Sequence, residues 1–137
     1  MTIHEIHSDE LSAPAGMFSH AMLVSNAHTL LFLSGLTARD INGDVIGVGD
    51  VKFQTETILD NMGKLLAAAG ATYDDVLRVT VYITDMSLFD QIHEVRGRYF
   101  APPYPASTMV EVSALARPGM LIEIEAIAAP GQERRGA

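Results

Sequence analysis

The chain contains no cysteine among its 137 residues. It therefore has no disulfide framework, no thiolate nucleophile and no cysteine-ligated metal site. No apolar run approaches the roughly 20 residues that a membrane-spanning helix needs. The N-terminal stretch MTIHEIHSDEL also lacks the basic and apolar regions of a signal peptide. These absences predict a cytoplasmic protein that does not act in a membrane.

Basic residues are scarce as well. Nine lysines and arginines face 17 aspartates and glutamates, and the formal net charge is −8. Binding to a phosphate backbone needs clustered basic side chains, whereas the only adjacent pair here is Arg134 and Arg135. The composition therefore argues against nucleic acid as a partner.

Several recurrent functional motifs are missing too. Gly47 and Gly49 lie in a polar loop without the spacing of a phosphate-binding cradle. Ser34 is not set in the Gly-x-Ser-x-Gly pattern of a nucleophile elbow. His4 and His7 have a spacing that suits metal ligands on a helix, but their segment is typical of a strand or a frayed end. We predict neither a metal nor a cofactor.

What the chain does contain is apolar residues, at 48% of the total, spread evenly and without repeats or linkers. The length suits one domain with a modest core, so we interpret residues 1–137 as a single domain. Residues 130–137, which include glycine and charged side chains, are expected to form a flexible tail.

Hydrophobic periodicity predicts two or three strands, a helix, a strand, a helix and two final strands. The predicted strands cover 18–24, 29–34 and 76–84, and the stretch 104–128 holds two more that are joined by a turn, of which the second covers 121–128. The first helix should begin after Asp50 and end at Gly70, and Ser87 should cap the second. Leu30 to Leu33 reads as a strand covered on both faces.

This order predicts an α+β sandwich in which two helices cover one face of a sheet of about six strands. The other face of the sheet still carries apolar residues, and one layer cannot bury them alone. Self-association is the natural way to cover them.

The last predicted strand places two acids among apolar residues. Alternation from Leu121 to Ala128 puts Glu123 and Glu125 on the same face as Ile127. A carboxylate in a largely covered strand must be paired, hydrogen-bonded or protonated. The alternative is that both acids lie on a solvated face.

Several segments resemble the Rid family (reactive intermediate deaminases, also called YjgF). They are LLAAAG at 65–70, DVLRVTVYITD at 75–85, Tyr-Pro-Ala at 104–106 and IEIEAIA at 122–128. The resemblance covers nearly the whole chain in the same order. It implies a chorismate-mutase-like α+β fold and a homotrimer with a central barrel and clefts between subunits. It also implies cofactor-independent hydrolysis of imines and enamines to a keto acid and ammonia.

The chain departs from the family pattern in the cleft. The best-studied branch has an arginine after Pro-Ala that clamps the substrate carboxylate, and Ser107 stands there in this chain. Phe18 replaces a tyrosine, Met109 a cysteine and His93 an asparagine. Because serine supplies no charge, the usual amino-acid-derived imines are not the expected substrates.

We therefore predict an enzyme that hydrolyses or tautomerises a small imine or enamine. Glu125 would act as the general acid or base, and His93 would assist in proton transfer. The predicted substrate-binding residues are Ser34, Gly35, Phe18, His20, Ser107, Thr108 and Met109. Each catalytic assignment has an alternative: Glu125 as a structural acid of the barrel, and His93 as a satisfied residue at the edge of a helix. A non-catalytic trimer that binds a small molecule or a partner in the same clefts is the alternative function. No residue specifically supports a chaperone-like or ribonuclease role.

Overall fold

A computed structural model describes residues 2–131 and 133–135 of the chain. In order, the elements are β1 (Thr2–Ile6), β2 (Ala21–Ser25), β3 (Leu31–Leu36), α1 (Val51–Ala68), β4 (Val76–Ile83), α2 (Phe89–Arg96), β5 (Ala106–Glu111), β6 (Ile122–Ala128) and β7 (Glu133–Arg135). Short 3-10 turns precede β4 at Tyr73–Asp75 and α2 at Met86–Leu88.

The described strands form two sheets. The larger has the order β3-β6-β4-β5, with β4 parallel to β5 and antiparallel to β6. The smaller has the order β2-β1-β7. Ser19 joins the two, because it bridges to Ala106 and its amide donates to the carbonyl of Pro105 at 3.1 Å. The last two predicted strands, β5 and β6, are therefore not a hairpin, since β4 lies between them.

Alternating apolar residues give the larger sheet one covered face. In β4, Val79, Val81 and Ile83 are buried, and in β6 Ile122 and Ile124 are buried beside them. Ladder partners stand side by side on one face of a sheet, so these rows form a continuous apolar surface. Both helices lie over this surface, and the core is the layer between them.

Helix α1 has the predicted boundaries for local reasons. The carboxylate of Asp50 accepts from the amide of Phe53 at 3.0 Å, which caps the N-terminus. Gly70 follows the C-terminus with φ of 73°, a left-handed conformation that glycine adopts without strain. Helical periodicity predicts an apolar stripe of Phe53, Ile58, Met62, Leu65, Leu66 and Ala69 on the first helix. That prediction is partly wrong, because Phe53 and Leu65 are each 43% exposed.

Helix α2 corrects the predicted cap. Ser87 lies in the 3-10 turn that precedes α2, and the carboxylate of Asp85 caps that turn by accepting from the amide of Ser87 at 2.9 Å. Helix α2 itself begins after Leu88, which makes no side-chain capping hydrogen bond. The covered side of α2 consists of Ile92, Val95 and Arg96. The helical periodicity of Phe89, Ile92, Val95 and Tyr99 predicts that Phe89 lies on that side as well, but it is 40% exposed.

The opposite face of the larger sheet is open in the single chain. Leu30 is 48% exposed and Phe32 is 70% exposed, so the prediction that Leu30 to Leu33 is covered on both faces is wrong for the isolated subunit. A continuous apolar run is typical of a strand that is buried on both faces. In this strand, however, one face is not covered by any other described part of the same chain. The open face thus carries the unburied apolar surface that the sequence predicted.

Strand boundaries near the termini also differ from the predictions. The segment predicted as a strand over 18–24 pairs regularly only from Ala21, and it belongs to the smaller sheet, away from β3. The backbone of Glu133–Arg135 pairs in parallel with β1, where only a flexible tail was predicted. The tail residues 132, 136 and 137 lie outside the described part of the chain.

The predicted fold class is confirmed: mixed sheets with both described helices on one face make an α+β sandwich. Within residues 2–131 and 133–135, neither helix combines the length and the apolar character that crossing a bilayer requires.

Gln54 gives a test of how the loops are held over the core. This fully buried side chain donates to the carbonyls of Ile46 and Gly119, at 3.1 and 2.8 Å, and accepts from the amide of Leu121 at 2.9 Å. Gln54→Ala leaves three backbone groups without this partner, and we expect it to lower the free energy of unfolding by about 2–4 kcal/mol. Urea denaturation at equal protein concentrations measures the loss. The exposed Gln91→Ala is the control, and equal effects of the two changes would contradict this role for Gln54.

Candidate functional site

Glu125 lies in a cleft on the open face of the larger sheet. The cleft measures about 320 Å³, and its lining residues are Phe32, Leu33, Ser34, Arg78, Thr80, Glu125, Ala126 and Ile127. We call it the sheet-face cleft. It joins two of the predicted site residues, Ser34 from β3 and Glu125 from β6, because these strands are neighbours in the sheet.

The carboxylate of Glu125 is held by a neighbouring strand. Oε1 of Glu125 accepts a hydrogen bond from the hydroxyl of Tyr82 on β4. This hydrogen bond is the main reason that the pKa of Tyr82 is raised above its ordinary value. The bond orients one carboxylate oxygen along the sheet and leaves the carboxylate further lone pairs for a ligand or a water molecule. Glu125 is thus a positioned, half-buried acid in an accessible cleft.

Four other predicted residues line a separate hollow at the edge of α2, which we call the helix-edge pocket. It measures about 280 Å³. The lining residues are Ala15, Gly16, Met17, Phe18, Phe89, His93, Arg96, Ser107 and Met109. Phe18, His93, Ser107 and Met109 had been predicted from the sequence, and the structure brings them together.

His93 faces this pocket. Its ring stacks on that of Phe89, with the centroids 5.4 Å apart and an angle of 15° between the planes. A Cβ atom added to Gly16 would lie 3.3 Å from Cε1 of His93, so the N-terminal loop closes against the imidazole. The half-buried ring is therefore held between the helix and the loop.

Arg96 shares the helix-edge pocket and was not predicted. Arg96 is only 8% exposed, and its Nη2 atom donates a hydrogen bond to Oγ of Ser107 at 2.8 Å. Burial lowers the pKa of Arg96 to about 10, which still leaves the guanidinium charged at neutral pH. Across residues 2–131, no carboxylate lies within ion-pair distance of it. A charged arginine thus contacts the serine that stands at the family's arginine position.

The sheet separates the two sites within one chain. Ser107 pairs with Val79 of β4, on the face that the helices cover. Thr108, the next residue, pairs with Thr80, which in turn pairs with Glu125 on the open face. Nη2 of Arg78 donates to Oγ1 of Thr108 at 2.9 Å, which places Thr108 beside the sheet-face cleft. Ser107 and Glu125 therefore belong to opposite faces and cannot meet in a single subunit.

The two remaining predicted residues lie elsewhere. Gly35 lines a third hollow with Glu123, and a Cβ atom at Gly35 would come within 2.2 Å of Oε2 of Glu123. A side chain at position 35 would thus displace that carboxylate. His20 is exposed, and its ring centroid lies 5.9 Å from that of Phe18. It stands beside the helix-edge pocket and is not among its lining residues.

Metal binding has no support in the described part of the chain, where no three His, Asp or Glu side chains come close enough to hold an ion. His4 is exposed on β1, and His7 lies 3.6 Å from Glu5.

The sequence did carry a signal for Arg96. Position 96 is four residues after Ile92 and next to Val95, so it continues the apolar side of α2. A charged residue at such a position is unusual and marks a candidate site. Tyr82 had no comparable signal, because its link to Glu125 depends on β4 pairing with β6 rather than on any spacing along the chain.

Comparisons with known proteins agree with this architecture. The sequence model of the family described as Endoribonuclease L-PSP matches residues 9–130. Protein DfrA of Myxococcus xanthus is 41% identical over 123 residues, covering 90% of this chain and 92% of its own. The human 2-iminobutanoate/2-iminopropanoate deaminase is 34% identical over 116 residues, covering 85% and 82%. The crystal structure of a Rid-family protein of unknown function, YyfB from Yersinia pestis, superposes with a TM-score of 0.84 at 31% identity, covering 94% and 99%.

The chain therefore belongs to the endoribonuclease L-PSP family, the Rid or YjgF family, as its sequence predicted. This family includes relatives that are named as deaminases.

The hydrogen bond between Tyr82 and Glu125 can be tested by titration. Glu125→Gln replaces the carboxylate with a neutral amide, which accepts more weakly and does not repel a phenolate. We expect the pKa of Tyr82 to fall toward its ordinary value of 10.0. Carbon-13 NMR of labelled tyrosine rings follows each hydroxyl separately. Glu123→Gln is the control and should lower the pKa less, because Glu123 raises it only through a weaker electrostatic effect. Equal shifts in the two variants would argue against the hydrogen bond.

Proposed function

We propose that the protein is a Rid-family hydrolase that converts a small imine or enamine to a carbonyl compound and ammonia. The observation that carries the proposal is the carboxylate of Glu125, held by Tyr82 in an accessible cleft beside Ser34. Membership in a family with deaminase-named relatives supports the reaction class.

The chemistry needs only one acid that can take and return a proton. Water attacks the carbon of the protonated C=N group while Glu125 accepts a proton from that water. A C–O bond forms as the C–N π bond breaks, and the nitrogen becomes an amine. Glu125 then protonates the amine, and the C–N bond breaks so that ammonia leaves with the bonding electron pair. The C=O bond forms as the hydroxyl gives its proton to the carboxylate of Glu125, which is available to protonate the next imine. An enamine enters the same sequence after protonation at carbon. Because an iminium ion is already electrophilic, no electron-accepting cofactor takes part.

We further propose that the working site forms between subunits of a homotrimer. Glu125 and Ser107 lie on opposite faces of one sheet, so a ligand that contacts both needs two chains. The open face that bears the sheet-face cleft also exposes 70% of Phe32, an apolar surface that a second subunit would bury. In this arrangement the sheet-face cleft of one subunit adjoins the helix-edge pocket of the next.

A nuclease function is less well supported by the surface. Lys52 of α1 lies 2.9 Å from Glu94 of α2, and Arg98, just beyond α2, lies 2.7 Å from Glu56 of α1, so each of these exposed cations is paired with an acid of the facing helix. With a net charge of −8, the chain would repel a phosphate backbone. We therefore favour a small substrate.

The direct test is ammonia release from freshly generated imines, with and without a carboxylate group. Glu125→Gln removes the proton acceptor, and we expect kcat to fall about 100-fold or more. The control is Glu123→Gln, which removes the neighbouring acid of the same strand and should keep most of the activity.

Unchanged turnover in Glu125→Gln would overturn the proposed mechanism. Binding of the imine products without any turnover would instead favour a non-catalytic trimer that uses the same clefts.

Mixing two inactive variants tests whether the site lies between subunits. Glu125→Gln disables the sheet-face cleft, and His93→Ala disables the helix-edge pocket. Each alone should be impaired in every cleft, but when subunits mix randomly about a quarter of the clefts receive both intact halves. We expect activity to recover to about that fraction after the variants are unfolded and refolded together.

Each variant refolded alone is the control. If the mixture is no more active than the mean of the two variants, the site does not draw its halves from different chains.

A further inference from the structure

The helix-edge pocket contains a buried cation with no acid beside it. Arg96 is 8% exposed, and its guanidinium donates a hydrogen bond to the hydroxyl of Ser107. A guanidinium has several N–H donors arranged as a planar fork, so one hydroxyl leaves much of its hydrogen-bonding capacity unused. Removing such a charge from water is costly unless something else compensates it.

The other arginine near α2 shows how different this environment is. Arg98, two residues further along the chain and beyond the end of α2, is exposed and contacts Glu56 at 2.7 Å and Glu94 at 3.3 Å. Because Arg96 is buried, little water screens its charge, and its attraction to an anion is stronger than that of an exposed arginine. The charge of Arg98 is both screened by water and paired with acids. Arg96 is therefore the cation in this region that is available to an anion from outside the chain.

The pocket around Arg96 suits a small organic anion. Phe18, Phe89 and Met109 supply apolar walls, and the imidazole of His93 lies on the same lining. A volume of about 280 Å³ is enough for a molecule of a few non-hydrogen atoms. Apolar walls exclude water, and this strengthens an ion pair between a ligand and the guanidinium. The small volume of the pocket excludes a large polyanion.

The position of the charge bears on substrate choice. From the sequence, the serine at position 107 predicts a cleft without a carboxylate clamp. In the structure, Nη2 of Arg96 lies 2.8 Å from Oγ of Ser107. Helix α2 therefore supplies a guanidinium next to position 107, where β5 has a serine instead of an arginine. The hydroxyl of Ser107 accepts a hydrogen bond from one nitrogen of this guanidinium and orients the group. The remaining N–H donors can then bind a ligand.

We propose that Arg96 is the anion-binding residue of this protein and that its substrate carries a carboxylate group. That the bound anion is a substrate rests on the proposed imine hydrolase activity. That Arg96 binds an anion does not depend on that activity. The carboxylate would lie against Arg96 in the helix-edge pocket of one subunit. The C=N carbon would then face Glu125 of the neighbouring subunit.

Binding is tested first without catalysis. Pyruvate is the anionic probe and pyruvamide its neutral match, and NMR titration measures both dissociation constants. We expect pyruvate to bind the unmodified protein about 10- to 100-fold more tightly than pyruvamide. Arg96→Met, which keeps much of the volume, should abolish this preference. Arg96→Lys should retain part of it, and Arg98→Met, the matched arginine control, should retain all of it.

Stability separates a binding role from a structural one. Replacing a buried charge that lacks an acid by an apolar side chain is expected to leave the melting temperature unchanged or to raise it. If Arg96→Met instead lowers the melting temperature by many degrees and the unmodified protein does not prefer pyruvate, Arg96 is a structural residue and the proposal is wrong. The comparison of the two probes on the unmodified protein needs no variant, so it decides even if Arg96→Met does not fold.

Kinetics then connects the site to the reaction. With a carboxylate-bearing imine, kcat/KM should fall about 10- to 100-fold in Arg96→Met, while a neutral imine should change by about twofold or less. Adding Ser107→Arg to Arg96→Met returns a guanidinium to the pocket from β5 and should restore the preference for the carboxylate.

The outcomes distinguish the two proposals. Loss of pyruvate binding in Arg96→Met, with no imine accelerated by any form of the protein, would support the anion site and overturn the hydrolase. Imine hydrolysis that is insensitive to Arg96 would support the hydrolase and overturn the anion site. Equal affinity of the unmodified protein for pyruvate and pyruvamide would also overturn the anion site.

Discussion

Alternation of side chains across three hydrogen-bonded strands decides on which face of the sheet the candidate site residues of β5 and β6 lie. β4 lies between β5 and β6, so the residues of each cross-strand row share one face. The row of Thr108, Thr80 and Glu125 is on the open face, and the row that contains Ser107 is on the covered face. A change of register by one residue would exchange the two rows. This register therefore places Glu125 and Ser107, the two halves of the proposed site, on opposite faces of the sheet.

The covered face explains the second functional feature, a buried arginine. Helix α2 packs its apolar side onto the sheet, and Arg96 occupies a buried position of that side, which hydrophobic residues usually fill. Burial lowers the pKa of its guanidinium, but the charge persists at neutral pH. Natural proteins accept such a cost mainly where function needs it. The same packing that desolvates Arg96 also places it against Ser107, which makes the charge available in a pocket rather than at the surface.

Much of the fold could be predicted because it depends on local rules. Asp50 and Gly70 bound the first helix through a cap and a left-handed residue, and both signals are readable within a few positions. The two faces of β6 follow from its strict alternation. The buried side of α1 was less predictable, because Gln54 is buried and Phe53 is not. Hydrophobicity favours the opposite choice, but the loops at Ile46 and Gly119 offer Gln54 three hydrogen bonds.

The sequence by itself determined the family and the fold class, and it singled out six of the residues that line the two clefts, because these depend on composition, periodicity and motifs along the chain. It also indicated that one sheet face lacks cover, since more apolar residues are present than one layer can bury. Only the tertiary structure decided that Glu125 and Ser107 lie on opposite faces and that Tyr82 holds Glu125. It alone placed Arg96 beside Ser107. These relations join residues that are 11 to 43 positions apart. The pairing of strands and the docking of α2 create them, and no short-range pattern encodes either.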